Sequence, residues 1–336
     1  MDIGIDLGTA TVIIYINGQG IVLKEPSAIA VNAYDNTVLK VGSEAFAMLG
    51  KNPDKIQVVM PLKDGVICDY DMAEAMIKYF IKKIMEGKIV KPRIAICVPS
   101  NTTSVESNAV VDVAVSAGAR KVYLIEEPIA AAIGAGLNIR ECNGQMIVDI
   151  GGGTADIAII SLSGIVNKIS IKDAGNRVNE DIIRYVRSKY SISIGEKTAE
   201  NAKIAIANFY ESPNEETFVV KGINVLNGLP AKQDITRNEL VPIIRRHGDV
   251  IVEGIRSVLE KTPPELVGDI ARNGLIMTGG GSLIGGYCEY IEAKTGIKTR
   301  VAENPTECVA IGTGKSFEHI ESLFDGFENT PTYNYE

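Results

Sequence analysis

Two short turns in this chain place an acid beside glycine and threonine, a combination suited to holding a phosphate group and its counter-ion. The first is Ile5-Asp6-Leu7-Gly8-Thr9, running on into Ala10 and Thr11; the second is Val148-Asp149-Ile150-Gly151-Gly152-Gly153-Thr154. Glycine lets backbone N–H groups approach an anion closely. A threonine hydroxyl adds a hydrogen bond to phosphate or to metal-bound water. Asp6 and Asp149 would repel a bare phosphate, so their presence makes sense if a divalent cation lies between, held directly or through water. Each turn follows one apolar β-branched run and leads into another, Val12-Ile13-Ile14-Tyr15 after the first and Ile157-Ala158-Ile159-Ile160 after the second. Each therefore reads as strand, tight turn and returning strand, and two such hairpins suggest a nucleotide clamped between related domains. Taken alone, the first turn reads equally as a plain hairpin with a solvated Asp. Three consecutive glycines cost more chain entropy, which makes the second turn the stronger signal.

A third glycine run, Thr278-Gly279-Gly280-Gly281-Ser282, stands where a strand turns into an expected helix. A helix N-terminus offers free N–H groups to a phosphate or a nucleoside edge, although an ordinary strand-to-helix turn looks the same. The elements that must position these turns follow from periodicity. Ala73, Met76, Ile77, Phe80, Ile81 and Ile84 make one apolar face of a helix over 71–86. Thr103-x-x-Glu106 and Thr236-x-x-Glu239 are capping-box signatures. Strands are expected over 93–98, 121–125 and 274–278, and helices over 128–136, 178–189, 197–208, 306–321 and from Thr236 toward Lys261. Alternating strands and helices after an opening β meander indicate an α/β fold, repeated in the second half.

The 336 residues favour two domains, and the composition, 46% hydrophobic and 23% charged, is ordinary for a soluble chain. A net charge of −8 argues against nucleic-acid binding through a basic surface. Cys68, Cys97, Cys142, Cys288 and Cys308 show no C-x-x-C spacing, which suggests reduced thiols in a cytosol. No apolar run has the length of a membrane span. With only His247 and His319, a His-rich metal site is excluded.

The three glycine turns in this order resemble the actin-like ATPase superfamily and, within it, the MreB/Mbl family of bacterial actin homologues. The likeness runs over about 2–322. It is carried by Ile3–Ala10, Gly20-Ile21-Val22-Leu23-Lys24-Glu25-Pro26-Ser27, Pro61-Leu62-Lys63-Asp64-Gly65-Val66-Ile67, Leu124–Gly136 and Ile194–Glu200. The resemblance implies two ribonuclease-H-like domains, with four subdomains around an ATP cleft. Domain I would cover 1–140, with a small insert at about 30–63, completed by the helix at about 306–322. Domain II would cover 141–305, with an insert at about 176–240, and 323–336 would be a flexible acidic tail. Gly8 to Thr11 and Gly151 to Thr154 would hold the β- and γ-phosphates, with Asp6 and Asp149 on Mg²⁺ through water. Gly175 and the run Glu200-Asn201-Ala202-Lys203 are further nucleotide candidates, Glu200 and Lys203 near the adenosine, with Gly279 to Ser282 closing the other side. Glu127 matches the residue that orients the attacking water, and Thr154 would assist at the γ-phosphate. Without the family, Glu127 reads as an acid at a helix N-terminus, favoured by the macrodipole.

The same resemblance implies a slow ATPase that polymerises into paired antiparallel protofilaments at the inner face of the cytoplasmic membrane. Sister paralogues and cell-wall elongation membrane proteins are the expected partners, and cell shape the expected output. The chain departs from the family pattern at Thr11, at Ala155-Asp156 and at Asn176. Its apolar loop is short: Ile89 and Val90, flanked by Lys82, Lys83, Lys88, Lys91 and Arg93, are the candidates for contact with an anionic membrane, or pack inward in an ordinary loop. Alternatives from other classes are a soluble actin-like kinase, which needs a second substrate pocket, and a nucleotide-switched adaptor that does not polymerise.

Overall fold

The computed structural model of the chain describes residues 1–87, 90–214, 216–318 and 327–329. Its first half opens with a meander of β1 (Asp2–Leu7), β2 (Thr11–Ile16) and β3 (Gly20–Pro26). A turn at 17–19 joins the last two. A small sheet follows, built from β4 (Ile29–Asn32), β5 (Val38–Val41) and β6 (Ile56–Val59) with α1 (Ser43–Met48) across it. A two-stranded ribbon, β7 (Leu62–Lys63) and β8 (Val66–Ile67), returns the chain to the main body, where α2 (Tyr70–Ile84), β9 (Arg93–Val98), α3 (Ser104–Ser116), β10 (Lys121–Glu126) and α4 (Glu127–Gly134) follow. The apolar stripe of α2 is buried at Met72, Ala73, Met76, Ile77, Phe80 and Ile81. The capping box at Thr103 and Glu106 forms as the sequence predicts.

The second half repeats the plan. A meander of β11 (Gln145–Ile150), β12 (Ala155–Ser161) and β13 (Gly164–Ile171) is followed by α5 (Gly175–Tyr190), β14 (Ile192–Ser193) and α6 (Glu196–Ile206). Then come the hairpin β15 (Thr217–Asn224) and β16 (Pro230–Thr236), the long α7 (Arg237–Glu260), α8 (Pro264–Asn273) and β17 (Leu275–Thr278). The chain ends with α9 (Tyr287–Thr295), β18 (Thr299–Val301), α10 (Cys308–Lys315) and β19 (Phe327–Asn329). Thr236 and Glu239 form the second capping box, at the start of α7.

The two large sheets share one strand order. The first runs β19-β10-β9-β1-β2-β3 and the second β13-β12-β11-β17-β18. In each, an antiparallel meander is extended by two parallel strands on the side of its first strand. Parallel neighbours require crossovers, and the helices between these strands supply them. Each half has its own core, and a third apolar cluster joins them. It contains Ile129 to Ile133 of α4, Ile147, Ala158 and Ile160 of the second sheet, and Cys308 and Val309 of α10. Helices α4 and α10 pack backbone to backbone: a Cβ added at Gly312 would stand 1.7 Å from the Ala130 carbonyl oxygen. So α10, late in the chain, belongs physically to the first sheet.

Two expectations change. The glycine run after β17 opens only a single 3-10 turn, Gly280–Leu283, and the helix proper starts at Tyr287. Gly286 adopts φ 78, a left-handed conformation that breaks the helical path between the two. The last helix ends at Lys315, with a 3-10 turn to Glu318. Most of the expected acidic tail lies outside the described residues. Its segment 327–329 adds an antiparallel strand to β10.

Candidate functional site

The β1–β2 and β11–β12 turns face one another across a cleft of about 490 Å³. Their proximity sets what can stand there. A Cβ added at Gly153 would come within 2.6 Å of Thr9 Oγ1 and 2.8 Å of Asp64 Cα, so only glycine permits this approach. Thr9 Oγ1 accepts from the Gly65 N–H at 2.8 Å, which ties the β7–β8 turn to the first hairpin. On the other side, the N–H groups of Gly175 and Asn176 donate to the carbonyls of Gly151 and Gly152, at 3.2 and 2.8 Å. The start of α5 is thereby locked onto the second hairpin.

Four carboxylates cluster here, Glu127, Asp149 and Asp156 buried and Asp6 half-buried. Asp149 and Asp156 are cross-strand partners in β11 and β12. Asp6 ends β1, and Glu127 begins α4. Among the described residues the nearby lysines pair elsewhere, Lys168 with Glu126 and Lys203 with Glu200, and no lysine or arginine forms a salt bridge with any of the four. Burial raises Asp6 to about 6, opposed by a hydrogen bond from the Cys97 thiol at 3.4 Å. Burial raises Asp149 to about 7; the Thr278 hydroxyl, which donates to it at 2.5 Å, opposes this, and the charges of Asp156 and Asp6 add to it. Glu127 is pushed well above the ordinary carboxylate range, first by burial and then by Asp156, Asp149 and Asp6. Asp156 is raised by burial, although the Ser100 N–H donates to it at 3.1 Å. Acids crowded in a low-dielectric site without a basic partner are costly unless a cation or a proton neutralises them. This donor set fits Mg²⁺. Among the described residues no three His, Cys, Asp or Glu side chains converge closely enough to hold a metal ion directly.

At the other end of the cleft, Lys203 on α6 donates to the Gly175 carbonyl at 2.9 Å and to Glu200 at 2.7 Å. Glu200 also accepts from the Asn179 amide at 2.6 Å. Gly8, Thr9, Ala10, Thr11, Gly151, Gly152, Gly153, Thr154, Gly175, Glu200, Lys203, Gly279, Gly280 and Gly281 all line the cleft, with Asp6, Glu127 and Asp149. Three expected residues do not. Ala202 is fully buried in the second core, Asn201 faces outward on α6, and the Ser282 hydroxyl turns back to the Gly279 carbonyl at 2.7 Å. The cause is helical geometry: 200 and 203 share a face of α6, and 201 and 202 do not.

Other lining residues escaped the sequence reading. Phe209, Ile244, Ile251, Leu283, Ile284 and Tyr287 give the Lys203 end an apolar wall. His247 of α7 also lines it, with one ring nitrogen against Asp173 and the other 3.0 Å from Asp181. A lone histidine inside an amphipathic helix carries no local signal for such a place. Of the membrane candidates, Val90 is 63% exposed and Ile89 lies outside the described residues. Two of the flanking bases have partners: Lys83 pairs with Glu25 at 3.3 Å and Arg93 with Asp2 at 2.6 Å.

The family described as "MreB/Mbl protein" matches residues 1–324. The cell shape-determining protein Mbl of Bacillus subtilis is 46% identical over 323 residues, covering 96% of this chain and 97% of its own. The cell shape-determining protein MreB of Escherichia coli K12 is 43% identical, covering 95% and 94%. Among solved structures, MreB5 of Spiroplasma citri bound to ADP superposes with a TM-score of 0.91 at 39% identity, covering 95% of this chain and 97% of that one. The MamK double helical filament, at 21% identity and a TM-score of 0.81, covers 94% and 98% and shares the fold. The fold is therefore actin-like, as the resemblance implied, and the chain is a member of the MreB/Mbl family.

Proposed function

We propose that this protein is an ATP-binding, filament-forming cytoskeletal element that helps determine cell shape. One observation carries the reading: glycine hairpins from two sheets of related strand order meet around a cluster of four carboxylates, three of them buried. In this reading the halves divide near residue 140, with α10 returning to the first. The N–H groups of the two turns receive the phosphates, and the Lys203 end with its apolar wall takes the nucleoside. Asp6 and Asp149 would hold Mg²⁺ through water, and the ion supplies charge neutralisation at the phosphates when bound.

Glu127 is the hydrolytic residue in this scheme. Its carboxyl lines the cleft, and a carboxylate whose pKa is raised is a stronger base once it is ionised. Thr154, buried in the β11–β12 turn, offers a hydroxyl at the γ-phosphate. Phosphoryl transfer depends mainly on positioning and charge stabilisation, so slow turnover is compatible with this sparse set of groups. Cell-shape naming of the relatives, the ADP complex of Spiroplasma citri MreB5 and its AMPPNP complex, with a TM-score of 0.89, support the assignment. No helix among the described residues is long and apolar enough to cross a membrane. We place the protein on the inner face of the cytoplasmic membrane through the loop at Ile89 and Val90, each filament repeating a contact too weak for a monomer.

Electron microscopy of the purified protein with Mg-ATP on anionic lipid tests the proposal. Filaments lying on the lipid are the expected result, in antiparallel pairs. Dispersed molecules that bind ATP would move the assignment to a nucleotide-switched adaptor.

A further inference from the structure

The residue before Glu127 makes an unusual tie. Glu126 ends β10, paired with Val98, and stands at the N-cap of α4, yet its side chain makes no cap hydrogen bond. Both carboxylate oxygens instead accept from Lys168 Nζ, each at 2.6 Å. Lys168 lies on β13, the edge strand of the other large sheet, opposite Ala158. The pair is partly buried, with side-chain exposures of 31% and 17%, so it is better shielded than an ordinary surface ion pair, which contributes little.

Its place matters more than its strength. The halves otherwise meet around α4 through Ile, Ala and Cys side chains, and such apolar contacts carry no direction. Directional contacts set register. Three of them cross here: the Lys168–Glu126 pair, the Ser100 N–H that donates to Asp156 at 3.1 Å, and a side-chain hydrogen bond between Glu127 itself and Asp156. We propose that Lys168 is a positioning residue for Glu127, acting through Glu126 to fix the first turn of α4 against the second sheet. Hydrolysis then depends on how the two halves are set, while nucleotide binding does not. The inference rests on the hydrolytic reading of Glu127 given above.

The test compares Lys168→Met, Lys168→Arg, Glu126→Gln and the swapped pair Glu126→Lys with Lys168→Glu. Single-turnover cleavage of Mg-ATP and nucleotide affinity are measured on each, with hydrogen exchange of the 121–135 segment in nucleotide-free protein. Lys168→Met is expected to slow cleavage about tenfold to a hundredfold, the scale set by a small misplacement of a reacting group. Its affinity for ATP should stay within about twofold, a difference well under 1 kcal/mol. Exchange at the β10–α4 junction should speed up. Lys168→Arg should keep most of the rate, and the swap should recover more than the sum of its single changes allows. Wild-type cleavage and exchange in Lys168→Met would overturn the proposal, as would a swap that is merely additive. A wild-type protein that binds ATP and never cleaves it overturns the hydrolytic reading instead. In that event faster exchange in Lys168→Met upholds the tie between the sheets, and unchanged exchange overturns it too.

Discussion

Glu239 at the start of α7 is a carboxylate surrounded by donors, whereas Asp6, Glu127, Asp149 and Asp156 are carboxylates surrounded by one another. Glu239 accepts from the Thr236 N–H at 2.7 Å, from the Tyr190 hydroxyl at 2.5 Å, from the Tyr185 hydroxyl at 2.9 Å, and from Lys189. Burial works against its charge, but Lys189, Tyr190 and the Thr236 N–H prevail and hold it at about 2. In the cleft, burial meets too few donors, and Asp6 and Asp149 rise to about 6 and 7. The same functional group is thus completed by the fold in one place and left for a ligand to complete in the other. Structural and functional acids separate by the company they keep.

The largest effect should come from removing the group closest to the proposed chemistry. Glu127→Ala is expected to lower single-turnover cleavage about 10²–10⁴-fold, the usual weight of a positioned general base, with ATP still bound. Cleavage near the wild-type rate would take Glu127 out of the mechanism. Asp149→Asn should weaken Mg-ATP binding about tenfold to a hundredfold, as for loss of one charged contact, read by titration calorimetry. In nucleotide-free protein the same change should stabilise. A carboxylate whose folded pKa is raised stabilises the fold below its unfolded value near 4 and loses that contribution as pH rises to about 7. Thermal midpoints should therefore favour Asp149→Asn increasingly between those limits. A difference that does not change with pH would break the contrast with Glu239.

Glu239→Gln tests the other side. It should cost about 1–2 kcal/mol at neutral pH, the usual worth of a helix cap with its partners. Because its folded pKa is depressed, the wild-type advantage is present above about 4.5 and disappears as pH falls toward about 2. Urea melts across that range decide it, and no change in nucleotide affinity is expected. The smallest effect is at Val90. Val90→Ser should reduce pelleting with anionic vesicles only about fivefold for monomers, since one exposed side chain is worth about 1 kcal/mol at a lipid surface. The loss should be larger for filaments.

Much of the architecture was legible because it is written locally. Both capping boxes formed where Thr103 and Glu106, and Thr236 and Glu239, announced them. The α2 stripe was buried from Ala73 to Ile81, and the glycine turns marked both hairpins. What could not be read depends on contacts distant in sequence. Nothing near His247 points to Asp173, which lies on the far side of α5 in the chain. The sequence run 200–203 could not say which members face the cleft until the rotation of α6 against the second sheet was known. The glycines at 279–281 looked like the start of a long helix, and the left-handed Gly286 that interrupts it is a backbone property hidden from composition.

The contact between α10 and the first sheet also bears on how the molecule is made. A Cβ at Gly4 would overlap the backbone of Gly314, at 2.3 Å from its nitrogen, so the first strand of the chain is completed by nearly its last helix. The second sheet and its helices are continuous in sequence and can assemble as they emerge during synthesis. The first must wait, holding β1, β2 and β9 with an apolar face uncovered until α10 arrives. The half that carries Glu127 is therefore finished after the other, and the cleft closes only once α10 has been made.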